Sequence, residues 1–337
     1  MFLNGLGKDR YPGYLGADFK LFGGPALLYR EATQKLVDQL AQRADTGSKQ
    51  ASVIDGKGGS GKSAELLKLA AVAVSLDHLV IYAHATLPWV DSSRPYAPGP
   101  DGHMFVQHEL AMELLQTVRK MNNVSLAKVP LGKDISFGKR SLSAKHSLMD
   151  MVDFALRVPS VAQDVLDHLI EIASKQTNIP VLIAVDDVNT LWTNTFYTDQ
   201  NNTVLPASRL RLPSSFRRVF DGEITLKRGW AVGAMSYIRN QFVPNELKKK
   251  LHPEVKIPVS NPVLKMSPAL PGTAPINLPF EVISLDRMST AETWALMNFY
   301  HKVSIVSSPV TDVLVAKKWV TANGNPRAMF NSVTTYF

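Results

Sequence analysis

Apolar positions in this chain fall into two kinds of run. Short, largely apolar stretches occur at Ala51-Ser52-Val53-Ile54, Leu79-Val80-Ile81-Tyr82-Ala83, Pro180-Val181-Leu182-Ile183-Ala184-Val185, Trp230-Ala231-Val232-Gly233-Ala234-Met235-Ser236 and, with Glu281 and Ser284 interspersed, Phe280-Glu281-Val282-Ile283-Ser284-Leu285. Each predicts a strand, and runs without polar alternation belong to strands buried on both faces, as in a parallel sheet covered by helices. Between them, apolar residues at helical spacing predict helices over residues 25–42, with Pro25 at the start, and over 64–71, 106–121 and 149–175, the last interrupted near Pro159. Residues 290–303, 310–323 and 326–336 carry the same spacing with no strand after them, which predicts a small C-terminal helical lid over 286–337. The whole order predicts an α/β fold, a parallel sheet flanked by helices, over residues 25–285. Residues 1–24, rich in Gly and Tyr, read as an extended arm, and the irregular stretches 87–105, 125–146, 193–213 and 245–279 read as insertions. There is no internal repeat.

The first candidate chemistry lies between the strand ending at Ile54 and the helix from Ala64. Asp55-Gly56-Lys57-Gly58-Gly59-Ser60-Gly61-Lys62-Ser63 fits G-x-x-x-x-G-K-[ST], the phosphate-binding P-loop, at every fixed position and in strand-to-helix context. Glycines let successive backbone N–H groups turn toward phosphate oxygens, and the following helix adds its positive end. The spacing therefore assigns nucleotide phosphates to Gly56, Lys57, Gly58, Gly59, Ser60, Gly61, Lys62, Ser63 and Ala64. Lys62 reaches the outer phosphates and the Ser63 hydroxyl ligates Mg²⁺. A second acidic element is required, and the strand over 180–185 ends in Asp186-Asp187. Asp186 is the expected second Mg²⁺ ligand, because carboxyl ends of parallel strands meet at the ligand site. Asp187 reads either as a weak catalytic base or as an acid capping the next turn.

Composition adds boundaries. The chain has 337 residues, 45% hydrophobic and 20% charged, enough for a sizeable core. No apolar run is long enough to span a membrane, so no membrane partner is expected. With no cysteine there is no disulfide framework. Lys and Arg number 37 against 29 acids, a net charge of +8. The excess gathers in three tracts: Lys128, Lys133, Lys139, Arg140 and Lys145; Arg209, Arg211, Arg217 and Arg218; and Lys248, Lys249 and Lys250. Such tracts contact polyanions or are simply solvated. The first ten residues lack a secretory h-region and carry acid early, unlike an Arg-rich presequence.

The order of elements resembles the additional-strand class of P-loop ATPases, including AAA+ proteins. That resemblance implies a sensor 1 role for Ser236, at the tip of the strand after Asp186, although the residue alone reads equally as a strand-end hydroxyl. It also implies a sensor 2 role for Arg327 in Gly324-Asn325-Pro326-Arg327. A closer resemblance follows. Val181-Leu182-Ile183-Ala184-Val185-Asp186-Asp187-Val188-Asn189-Thr190-Leu191-Trp192 resembles the V-A-V-D-x-[IV]-N-x-L-W segment of the death-associated protein 3 family of mitochondrial small-subunit ribosomal proteins. Leu87-Pro88-Trp89-Val90, the entry over 22–28 and Asn325-Pro326 correspond in order and spacing.

The family resemblance implies a structural component of the small-subunit head, in the mitochondrial matrix. It would touch rRNA and ribosomal proteins, form no homo-oligomer, and hold a purine nucleotide, GTP or GDP ahead of ATP, with Mg²⁺. No [NT]-K-x-D guanine-reading motif is present, so the guanine preference comes from the resemblance alone. Arg327 departs from relatives that lack an arginine there. The alternative is a working AAA+ or STAND-type ATPase, such as a replication initiator or switch. Those enzymes use Glu where this chain has the shorter Asp187, which predicts little or no hydrolysis.

Overall fold

The computed structural model describes residues 11, 15–48, 50–100, 102–237, 243–254 and 278–334. In chain order its main elements are α1 (Leu15–Leu21), α2 (Glu31–Thr46), β1 (Ser52–Asp55), α3 (Lys62–Ser75), β2 (Leu79–Ala83) and α4 (His108–Met121). A hairpin of β3 (Ile135–Phe137) and β4 (Arg140–Leu142) precedes α5 (Leu148–Arg157), α6 (Ala162–Lys175) and β5 (Val181–Asp186). A second hairpin, β6 (Asn194–Thr198) and β7 (Val204–Pro206), leads to α7 (Arg211–Phe220), β8 (Gly229–Ala234) and α8 (Asn245–Leu251). The chain then gives β9 (Glu281–Ser284), α9 (Thr290–Lys302), α10 (Asp312–Ala322) and α11 (Pro326–Thr334).

Five strands form one parallel sheet in the order β9-β1-β8-β5-β2. Strand residues point alternately to opposite faces, so each unbroken apolar run feeds two cores. Val53, Ile81, Ile183 and Val185 pack with α4, α5, α6 and α7 on one side. Ile54, Val80, Tyr82, Leu182, Ala184 and Trp230 pack with α2 and α3 on the other. Helices α9, α10 and α11 enclose a third, separate core around Met288, Met297, Tyr300 and Met329. The protein is thus an α/β fold with a helix-flanked parallel sheet, and β8 lies between the glycine-loop strand β1 and the acidic strand β5.

Four expectations are corrected. Within the arm, residues 15–21 are helical: Leu15 and Phe19, one turn apart, are buried, and Tyr11 meets Phe19 edge-on at 4.9 Å. Residues 25–30 stay extended and the helix begins at Glu31, because the buried Arg30 is held by distant acceptors and its N–H donates to Thr33 Oγ1 at 3.0 Å. The 125–146 tract is built around a hairpin whose Ile135 and Phe137 are buried, and the 193–213 stretch likewise contains the β6–β7 hairpin. In both, alternating apolar residues on strands of three to five residues are too short to stand out in sequence. Most of the proline-rich insertion, residues 255–277, lies outside the described residues.

The turn after β5 shows why Asn189 and Trp192 matter. Asn189 Oδ1 accepts the Ser236 N–H at 3.0 Å, joining the ends of β5 and β8. Trp192, buried against Phe220 and Phe280, donates from Nε1 to Asp221 Oδ1 at 2.8 Å, while Arg217 Nε donates to Asp221 Oδ2 at 2.8 Å. Burial pushes the Asp221 carboxyl up, and the Trp192 and Arg217 bonds hold it back. Asp221→Ala would leave a buried guanidinium and an indole N–H without this acceptor. It should cost on the order of 3 kcal/mol, read as a lower urea midpoint with unchanged slope. A midpoint within a few tenths molar of wild type would mean that Arg217 and Trp192 find other acceptors.

Candidate functional site

The glycine loop leaves β1 at Asp55 and enters α3 at Lys62. Gly59 and Gly61 have φ of 78° and 99°, a backbone that side chains disfavour. At Gly59 space is also lacking: a Cβ there would lie 2.7 Å from Arg327 Cβ and 2.8 Å from Asn325 Oδ1. The loop carbonyls are engaged from outside. Asn325 Nδ2 donates to Gly58 O at 2.9 Å, the Arg327 N–H to Gly59 O at 3.2 Å, and Arg30 Nη1 to Ser60 O at 3.1 Å. Holding these carbonyls fixes the peptide planes, and the first-turn amides of α3 add donors with no intrahelical partner. Ser60 Oγ is buried without a hydrogen-bond partner among the described residues.

Lys62, Ser63, Asp186 and Asp187 converge at the head of β1 and β5. Lys62 Nζ donates to Gly56 O at 2.6 Å and Lys57 O at 3.0 Å, and lies 5.2 Å from the Tyr237 ring centre. Ser63 Oγ donates to Asp186 Oδ1 at 3.0 Å. The Asp187 N–H reaches the same oxygen at 3.1 Å. Thr86 Oγ1 sits 2.8 Å from the Asp186 carbonyl and 2.9 Å from that of Asp187, pinning the strand end to the β2 side. Burial holds Asp186 well above the usual carboxylate range, the neighbouring Asp187 adds to this, and Ser63, the Asp187 amide and Lys62 oppose it. Burial also raises Asp187, against a hydrogen bond from Ser236 and the charge of Lys62. The same burial lowers Lys62, and Asp55, Asp186 and Asp187 pull it back up.

Two cavities flank the loop. An apolar slot of about 270 Å³ runs between α1 and the lid, lined by Phe22, Leu27, Ala64, Phe299, Tyr300 and Phe330. A polar cleft of about 730 Å³ opens over Lys57, Tyr237, His252, Arg287, Asn325 and Asn331. At its floor Tyr237 donates to Asp55 Oδ1 at 2.7 Å, and His252 Nε2 lies 3.1 Å from the Tyr237 hydroxyl and 3.2 Å from Asp55 Oδ2.

Residues 56–64, Asp186, Asp187 and Ser236, singled out in the sequence, therefore lie together. Arg327 is placed differently. Its backbone meets the loop, but its guanidinium forms a two-bond pair with Asp18 at 3.2 and 2.7 Å and lies 5.2 Å from the Phe330 ring centre. Sequence reasoning missed Asp18, Arg30, Asp55, Thr86, Tyr237 and His252. Only Arg30, the charge directly after Pro25-Ala26-Leu27-Leu28-Tyr29, and Asp55, abutting the first loop glycine, carried a local signal.

Comparison with known proteins places this geometry in a family. The family model for mitochondrial ribosomal death-associated protein 3 matches residues 27–332. The small ribosomal subunit protein mS29 of Schizosaccharomyces pombe is 23% identical over 332 residues, covering 94% of this chain and 66% of that protein. Mouse mS29 is 23% identical over 241 residues, covering 68% of this chain and 61% of its own length. The Bos taurus protein of the same name is 23% identical over 262 residues, covering 72% and 64%. The matches thus span just under two thirds of each relative's length. The family match runs from the approach to α2 through the sheet and the glycine loop to the last lid helix, and on that basis the chain belongs to the mitochondrial ribosomal death-associated protein 3 family.

Proposed function

We propose that this chain is a structural component of the small subunit of the mitochondrial ribosome that holds one Mg²⁺-purine nucleotide on its glycine loop and hydrolyses it slowly or not at all. Family membership supports the ribosomal half, including location in the mitochondrial matrix and contacts with rRNA and ribosomal proteins. The nucleotide half rests on one observation, the 3.0 Å contact between Ser63 Oγ and Asp186 Oδ1 across the ends of β1 and β5. The sheet order supports a P-loop fold of the additional-strand class, since one strand, β8, separates those two.

The residues present fit such a ligand. Ser60 Oγ is an unsatisfied buried hydroxyl within the loop, and the Gly59 backbone is shaped where no side chain fits. Among the described residues no three His, Cys, Asp or Glu side chains converge to hold a metal alone. Two protein oxygens suit Mg²⁺, which keeps several waters and takes further ligands from phosphates. Residues 58–63 would supply amides, Lys62 the cation, and the aromatic slot a place for the flat base. Family resemblance favours GTP or GDP, with ATP as the other purine. Slow turnover follows from the Asp187 side chain, shorter than Glu and already bonded by Ser236.

Three outcomes are expected. Cosedimentation from mitochondrial lysate should place the full chain with small ribosomal subunits; a chain that stays entirely in the free fraction would favour the ATPase alternative. Lys62→Ala removes a charge-assisted phosphate contact worth ~1.5–3 kcal/mol, so affinity for Mg-GTP and Mg-GDP should fall roughly ten- to hundredfold in calorimetry. In the wild type, nucleotide at a hundredfold excess over Kd should stabilise the fold by about 3 kcal/mol in a melt; equal affinities and no shift with any purine nucleotide would remove the nucleotide half. Single-turnover assays should show little product, whereas fast hydrolysis abolished by Asp187→Asn would restore a catalytic role.

A further inference from the structure

Three basic tracts stand out in the sequence, and the structure separates them. In the tract from 209 to 218, Arg211 pairs with Asp164 at 2.8 Å and with Asp167, Arg217 pairs with Asp221 at 2.8 Å, and Arg218 pairs with Glu223 at 3.2 Å. Arg209 donates to the His103 carbonyl. Arg211 and Arg217 are thus neutralised within the fold, Arg218 stands in an exposed ion pair, and Arg209 is exposed on a backbone contact. The lysines of α8 sit on a seven-residue helix beside the glycine loop's polar cleft. The third tract is different.

The β3–β4 hairpin packs through Ile135 and Phe137 and carries its exposed cations at the tip and the base. Ile135 and Phe137 are buried, and the Phe137 ring lies 5.5 Å from Phe154 on α5 and 5.8 Å from His168 on α6. The tight turn at Gly138, φ 61°, brings Phe137 opposite Arg140. At its base the Leu131 N–H donates to His146 O at 2.8 Å and the Gly132 N–H to Ala144 O at 3.2 Å, so the hairpin is a braced finger. Every exposed residue from 132 to 146 is Gly, Ser, Lys, Arg, His or Asp. Asp134 is its one acid, and that carboxylate accepts the Ala144 N–H at 2.7 Å. Lys133 pairs with Glu171 at 3.3 Å, leaving Lys139, Arg140 and Lys145 exposed and outside any ion pair among the described residues.

From this geometry we propose that the β3–β4 finger binds the phosphodiester backbone of RNA without reading its sequence, with Lys139, Arg140 and Lys145 as the phosphate contacts. A protein partner would call for an apolar or aromatic centre that excludes water, and the finger exposes none. Phosphate contact needs only cations and hydroxyl or amide donors, and Ser136 and Ser141 are exposed on the same hairpin, on the face opposite Phe137. Bracing means that little is lost in ordering these cations on binding. The inference rests on the ribosomal reading only for the source of the RNA.

The test uses the full chain with a fluorescent mixed-sequence RNA hairpin and, separately, labelled poly-glutamate, in anisotropy titrations across salt. The triple substitution Lys139→Ala, Arg140→Ala, Lys145→Ala should weaken RNA binding about tenfold or more and reduce the slope of log K against log salt by about 2 to 3, as expected for three lost phosphate contacts. Its melt and its affinity for Mg-GDP should stay as in wild type, since all three side chains are exposed and none lies at the glycine loop. Lys249→Ala with Lys250→Ala serves as the comparator and should leave the slope within half a unit. Unchanged RNA affinity in the triple variant overturns the proposal, as does an equal loss in the comparator. Tight poly-glutamate binding lost in the same variant also overturns it, in favour of an acidic protein. Binding here is read on the free protein, so it can fail while cosedimentation with the subunit succeeds, and the reverse.

Discussion

A buried guanidinium must find acceptors for its N–H groups, and Arg30, 5% exposed, finds them in three parts of the chain. Nη1 reaches Ser60 O in the glycine loop, Nη2 reaches Asp286 O at 2.8 Å where the chain leaves the sheet, and Nε pairs with Glu292 at 3.3 Å on the first lid helix. Glu292 also accepts the Glu31 N–H at 3.0 Å and caps its own helix through Ser289. One side chain therefore sets the loop, the lid and the start of α2 relative to each other. The apolar slot exists because these three are held apart at that distance, with α1 closing it through the Asp18–Arg327 pair.

The electrostatics at the loop follow from the same economy of space. Asp55, Asp186 and Asp187 surround one lysine in a buried region; the carboxyls of Asp186 and Asp187 are raised and the Lys62 ammonium is lowered, each by burial first. Two carboxylates held this close cannot both ionise cheaply without a compensating cation. A hydrophobic strand end would be more stable there. Asp186 therefore relies on Ser63, the Asp187 amide and Lys62 to hold its charge, and Asp187 on Ser236 and Lys62.

What was legible in the sequence was whatever is local. Five runs became the five sheet strands within a residue or two; four are buried on both faces, while the edge strand β9 is exposed or half-buried and shows only Val282 and Ile283 as apolar signal. The loop was legible because its glycines and Lys62-Ser63 are contiguous, and Asp186 because it ends such a run. Helix α1 escaped notice because Gly16 and the sparse pair Leu15 and Phe19 give too short a period. Arg30, Asp18 and Tyr237 act on residues far along the chain, at separations of 182 to 309 for the contacts with Glu292, Arg327 and Asp55. No periodicity encodes such partners; they appear only once the lid has folded back over the sheet.

Charge balance shows the same limit from another side. A net +8 spread along the sequence suggested three comparable basic tracts, but arginine and lysine are used differently here. Arg30, Arg43, Arg119, Arg211, Arg217, Arg228 and Arg327 each bond to an acid or a carbonyl of the fold, as suits a planar group that satisfies several acceptors at once. Lysine, strongly hydrated and flexible, stays mostly at the surface, with Lys62 of the glycine loop a buried exception. Arg211 and Arg217 are matched by acids of the fold, whereas Lys139, Arg140 and Lys145 on the β3–β4 finger are exposed and outside any ion pair among the described residues. Which cations reach a partner is decided by which acids the fold has already placed beside them.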